Sequence, residues 1–140
     1  MPHRTLASLL VYSLLLACSD SKAPTAPDIG VTGTWHLQTV DGQALPFTLP
    51  EDDGLKADLT AEVITLTAPN TVTLMTTFLF NDHGRIFTES APDSGTYTVD
   101  GSTVTVVWKS DGSITPATVN GDTMSLFDPG NGFTFVYRRE

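Results

Sequence analysis

Three times the chain writes Thr-Val, then Asp or Asn, then Gly: TVDG at 39–42, TVDG at 98–101 and TVNG at 118–121. Asp-Gly and Asn-Gly tolerate the positive φ that both central residues of a type I′ turn require, so each predicts a two-residue hairpin between antiparallel neighbours. Asp111-Gly112 and the NDHG stretch at 81–84 add further turns. A chain folded back so often leaves little room for helices.

The segments between the turns alternate as half-buried strands do. GTWHLQTV (33–40) puts Trp35, Leu37 and Thr39 on one side, with Thr34, His36 and Gln38 opposite. QALPFTL is a short strand broken at Pro46, and PEDDG is a loop before AEVITLTA (61–68). TVTLMTTFLF (71–80) aligns Val72, Leu74, Phe78 and Phe80 against Met75 and Leu79. RIFTES, then APDSG as a connection, leads to SGTYTV with Tyr97 and Val99 together; STVTVVWK groups Val104, Val106 and Trp108. SITPATV, interrupted at Pro116, and DTMSLF precede GFTFVYRR, where Phe133, Phe135 and Tyr137 share a face. Leu55 and Leu59, four apart, allow at most one short helix in PEDDGLKADL. The reading is all-β: an antiparallel up-and-down meander of about eight or nine strands. With no helix to cover a sheet face, closure into a small barrel removes the exposed edges, and a sandwich is the alternative.

The N-terminal residues read as an address. Leu6 to Ala17 is strongly apolar, yet shorter than the roughly 20 residues that cross a bilayer core of about 30 Å. Residues 1–17 therefore read as a signal peptide. LLLACSD (14–20) places the chain's single cysteine, Cys18, directly after Ala17. This resembles the lipobox of bacterial lipoproteins, which implies cleavage before Cys18 and acylation of its thiol and new amino group. Residues 18–31 follow as lipidated Cys and Ser/Asp/Pro-rich tether, able to reach on the order of 40 Å at roughly 3.3 Å per residue. Ser19 after the cysteine resembles the outer-membrane sorting pattern of Gram-negative lipoproteins. The expected location is thus the cell envelope, anchored by lipid, at the outer membrane facing the periplasm or the cell surface. Residues 32–140 form the folded domain.

Gly33-Thr34-Trp35 resembles the G-x-W signature of lipocalins, and Arg138 and Arg139 resemble the Arg that covers that Trp at the closed end of their barrel. From roughly Val31 to Arg139 the chain is similar to small lipocalin-like bacterial lipoproteins. The resemblance implies a lipocalin-like barrel, a Trp35–Arg138/Arg139 closure and a small hydrophobic or amphipathic ligand of unspecified identity. The chain departs from secreted lipocalins in being shorter, in showing no C-terminal helix and in having no disulfide. META-type envelope domains also open on a Gly-Thr-Trp strand with a following Asp-Gly or Asn-Gly turn, and the opening alone does not separate the two.

The chemistry legible in the sequence is not that of a catalyst. A net charge of −9 with only seven Lys and Arg offers no basic patch for nucleic acid. His36 and His83 are the only histidines of the mature chain, and nothing near them has metal-ligand spacing. Asp28, Asp41, Asp100, Asp111, Asp122 and Asp128 fall mostly in turns, where Asp bonds the local backbone, and Glu51, Asp52 and Asp53 form an acidic loop. No calcium ladder and no nucleophile elbow is present. Neither enzyme, metal nor cofactor is expected. The aromatic set Trp35, Phe78, Phe80, Tyr97, Trp108, Phe133, Phe135 and Tyr137 either fills the barrel or lines a ligand space. An open interior of several hundred Å³ favours a binding module, and a filled one an envelope interaction or structural module.

Overall fold

The computed structural model describes residues 30–140, so the leader, Cys18 and the tether as far as residue 29 lie outside the described residues. Ten strands follow in order: β1 (Gly33–Val40), β2 (Gln43–Ala44), β3 (Phe47–Thr48), β4 (Leu55–Thr67), β5 (Thr71–Asp82), β6 (Arg85–Asp100), β7 (Thr103–Trp108), β8 (Ile114–Asn120), β9 (Thr123–Asp128) and β10 (Phe133–Arg139). Each of the long strands pairs with its sequence neighbour from β4 to β10. β10 then pairs with β1, and β1 with β4, so eight strands close into an antiparallel barrel. β2 and β3 are two-residue strands laid beside β1 and β4. The meander and the barrel expected from the turn pattern are both present. No helix occurs among the described residues, so PEDDGLKADL instead opens β4 at Leu55.

The hairpin loops have the two residues that the sequence predicts, but they are not all of one type. Asp41 and Gly42 both have positive φ (48° and 78°), as type I′ demands. At the other two repeats Asp100 and Asn120 stay inside the ladder, paired with Thr103 and Thr123. The two-residue loops are therefore Gly101-Ser102 and Gly121-Asp122, and only the glycines have positive φ. Glycine in the first central position is the type II′ solution, which also matches the right-handed strand twist. His83-Gly84 supplies a further I′ turn between β5 and β6, with φ of 49° and 92°.

Strand length is the larger departure from expectation. APDSG is no connection, because Ala91 to Gly95 continue β6 in register with β5, giving 16 residues. Pro92 is tolerated because β7 pairs only with Gly95 to Asp100, leaving the earlier part of β6 as an edge with no ladder bond for proline to lose. Pro116 likewise lies just outside the β8–β9 ladder, which runs from Ala117 to Asn120.

Two bulges set which residues face inward. The β1–β10 register slips between Leu37 and Thr39, so Val40, wholly buried, takes the inward position that alternation assigns to Thr39. The β4–β5 register slips between Leu59 and Ala61, bringing Glu62 inward above Ile64 and Leu66. Trp35, Ile64, Leu66, Val72, Val104, Val106, Met124 and Tyr137 pack one end of the barrel at no more than 2% exposure. Val31 is buried to the same degree, so the packed core takes in the last residue of the expected tether.

Candidate functional site

One end of the barrel is closed by a lock around Trp35. Its indole Nε1–H donates to the Val31 carbonyl at 3.0 Å, and the Arg139 guanidinium lies over its ring, 5.0 Å from the centroid. Arg139 also donates to the Gly30 carbonyl and pairs with Asp122 at 3.1 Å. Gly33 makes this approach feasible: its φ is 136°, and a Cβ there would meet the Arg139 side chain at 3.2 Å. Of the two arginines proposed for closure, only Arg139 covers the Trp. Arg138 pairs with His36 across the ladder and is exposed, because strand alternation sends it to the outer face.

The opposite end is open. A cavity of about 620 Å³ is lined by residues including Leu74, Asp93, Trp108, Thr115 and Asp128. A second, of about 240 Å³, is lined by residues including Phe47, Leu59, Glu62, Phe78, Phe133 and Phe135. Asp128 belongs to both linings, so the two spaces adjoin at that residue. Phe133 meets Phe47 edge-on, centroids 5.4 Å apart, and Phe135 edge-on at 6.4 Å. Trp108 anchors its ring by donating Nε1–H to Thr115 Oγ1 at 2.9 Å, which satisfies the one polar atom of a largely buried indole.

Glu62 is the polar centre of the smaller cavity. Thr76 Oγ1 donates to its Oε2 at 2.7 Å, and the Tyr137 hydroxyl donates to its Oε1. Burial raises the Glu62 pKa above the ordinary carboxylate value. The bonds from Tyr137 and Thr76 pull it back down in part, and the nearby Asp128 charge pushes it up further. Burial, and then the Glu62 charge, raise the Tyr137 pKa well above the usual phenolic value, so its hydroxyl remains a donor. Asp93 accepts from the Ser94 backbone N–H and from Ser110 Oγ, both at 2.7 Å. Asp128 accepts from the Gly130 N–H at 2.8 Å.

Above the mouth, β4, β5 and β6 run on past the closed part of the barrel as a flap, since Arg85 to Ser94 pair with β5 alone. Phe78, Phe80 and Phe87 form a ring ladder on its inward side, with centroids 5.7 and 5.2 Å apart, and Arg85 lies 5.5 Å over Phe87 at the tip.

The eight aromatics singled out in the sequence therefore separate by height in the barrel. Trp35, Tyr97 and Tyr137 are buried core, and Trp108, Phe78, Phe133 and Phe135 line the mouth. Phe80 lies on the flap, facing inward but lining neither cavity, because β5 outruns the barrel. The polar members of the mouth, Glu62, Thr76, Asp93 and Asp128, are absent from the sequence-derived site. Two left a signal: Glu62 alternates with Ile64 and Leu66, and Asp128 with Met124 and Leu126, so each carboxylate continues an apolar stripe. Among the described residues no three His, Cys, Asp or Glu side chains form a group able to hold a metal ion.

A barrel closed at one end by a Gly-x-Trp strand under an arginine and open at the other is the lipocalin arrangement, and the sequence profile of the lipocalin-like domain matches residues 31–126. The chain belongs to the lipocalin-like family. No curated protein and no solved structure gives a match. The matched span of this lipocalin-like domain stops within β9. The barrel nevertheless requires β10, which alone joins β9 to β1 and carries both Tyr137 and Arg139.

Proposed function

We propose that this protein is a lipid-anchored binding module of the cell envelope, tethered through Cys18, whose lipocalin-like barrel holds a small apolar or amphipathic molecule in its mouth. The observation that carries the binding reading is the division of the barrel interior. Its closed half is packed around Trp35, whereas its open half keeps a cavity of about 240 Å³ lined by four Phe rings and, beside it, one of about 620 Å³ with Trp108 in its wall. Such spaces lie within or near the range of small-molecule sites. A filled interaction module has no physical reason to leave Phe78, Phe133 and Phe135 only partly covered around a space.

The anchoring reading is supported by Ala17-Cys18 after the apolar leader and by the polar stretch that follows it. The first described residues lie at the closed end, where the Val31 carbonyl accepts from the Trp35 indole, on the side of the barrel opposite the mouth. A binding role also fits membership of the lipocalin-like family.

The test is to purify the full chain from membranes, extract it with organic solvent and analyse the extract by mass spectrometry. A small apolar compound recovered in near-stoichiometric amount, and lost when Phe133 and Phe135 are both changed to Asp, is the expected result. An extract containing only the bilayer's own lipids, unchanged by those substitutions, overturns the reading.

A further inference from the structure

The charge in the mouth is one-sided. Glu62 on β4, Asp93 on β6 and Asp128 on β9 all line the two cavities, with Asp111 at the rim, and no Lys, Arg or His lines either one. The described cations lie elsewhere. Arg139 is at the closed end, Arg138 and Lys56 occupy outer-face positions, Lys109 is exposed, and Arg85 is at the tip of the flap over Phe87. Glu62 is the most telling of the carboxylates, because it is held deep in an apolar wall by Tyr137 and Thr76, without any ion-pair partner. Burying an acid costs stability that a filled or purely apolar site would not incur.

The surrounding rings favour the same partner. Phe47, Phe78, Phe133 and Phe135 line the cavity that contains Glu62. Aromatic faces attract cations through their negative quadrupole and equally accept an apolar body. A carboxylate ligand would instead place its charge near Glu62 and Asp128 with no cation to offset it.

We propose that the barrel mouth selects an organic amine: an apolar or aromatic body carrying a protonated nitrogen, which seats against the Phe rings and directs its ammonium to Glu62 and Asp128. The proposal rests on the reading of the mouth as a small-molecule site. It adds the sign of the ligand's charge and the residues that recognise it.

Three probes with the same body separate the two levels of the argument: 2-(1-naphthyl)ethylamine, 3-(1-naphthyl)propionate and 2-(1-naphthyl)ethanol, titrated into the detergent-solubilised full chain at neutral pH by isothermal calorimetry. The amine is expected to bind at least about tenfold more tightly than the alcohol, the scale of one charge-assisted hydrogen bond, and the propionate to bind most weakly. Glu62→Gln and Asp128→Asn should each reduce the ratio of amine to alcohol affinity. An alcohol or propionate that binds as tightly as the amine overturns the amine proposal and leaves the binding-module reading intact. Absence of binding by all three overturns both. Circular dichroism of each variant establishes that it is folded; if Glu62→Gln fails to fold, Asp128→Asn and the three-probe ranking in the unsubstituted protein still decide the matter.

Discussion

Replacing Tyr137 by Phe keeps the ring, which is 1% exposed, and deletes only the hydroxyl that donates to Glu62. The consequence depends on whether Glu62 is charged. A hydrogen bond to an ionised acceptor contributes about 1.5–3 kcal/mol, and one between neutral groups about 0.5–1.5 kcal/mol. The groups facing Glu62 are Tyr137 from β10, Thr76 from β5 and Asp128 from β9, and Tyr137 is the stronger of the two hydrogen-bonding partners that lower its pKa. Loss of Tyr137's hydroxyl therefore moves an already raised pKa higher. The sign follows from linkage: a carboxyl whose folded pKa exceeds its unfolded value of 4.5 stabilises the fold below that value and loses this contribution as pH rises through the folded pKa. In Tyr137→Phe the loss extends over a longer span of pH, so the variant's deficit grows with pH. At low pH the expected cost is roughly 1 kcal/mol, rising by about 1–2 kcal/mol on the alkaline side of the Glu62 titration. Guanidinium unfolding of both proteins at half-unit steps from pH 4 to 8 measures it, and the other carboxylates cancel in the difference. Glu62→Gln serves as the background in which the same substitution should cost a constant amount. A deficit that does not vary with pH in the unsubstituted background, or varies equally with Gln at position 62, would show that Tyr137 does not stabilise a charged Glu62.

Arg139→Ala removes the guanidinium from above Trp35 and its bonds to Gly30 and Asp122, and should lower stability by roughly 1–2 kcal/mol. Arg138→Ala, on the outer face, should remain within about 0.5 kcal/mol of the parent; equal losses for the two would refute the assignment of the lock to Arg139. Gly95→Ala would set its Cβ 2.1 Å from the Val107 carbonyl oxygen, a backbone atom, and should cost about 2 kcal/mol or more by forcing β6 away from β7. A thermal midpoint unchanged in that variant would contradict the close approach. Cys18→Ala should abolish labelling by a palmitate analogue and leave the leader uncleaved by lipoprotein signal peptidase; normal labelling would refute acylation at Cys18.

What the sequence determined by itself is what short-range physics decides. Asp-Gly and Asn-Gly demand reversal, and period-2 alternation chooses a face, so the antiparallel meander and the shared faces of Val104, Val106 and Trp108 and of Phe133, Phe135 and Tyr137 follow from the chain alone. The Gly33-Thr34-Trp35 opening likewise carried the family resemblance. Three kinds of feature depended on neighbours distant in sequence. The bulges at Gln38 and Thr60, which exchange Thr39 for Val40 and turn Glu62 inward, arise from registry against β10 and β5. The choice of Arg139 over Arg138 depends on which side of β10 faces a tryptophan 104 positions earlier, and therefore on the barrel having closed. The continuation of β6 through Ala91-Pro92-Asp93 was hidden because proline and aspartate disfavour strands locally, while pairing with β5 on one side and an open edge on the other overrides that preference. The carboxylates of the mouth belong to the same class. In sequence, Glu62, Asp93 and Asp128 are three isolated acids, and only closure of the ring brings them around two adjoining spaces whose aromatic residues come from β3, β5, β7 and β10.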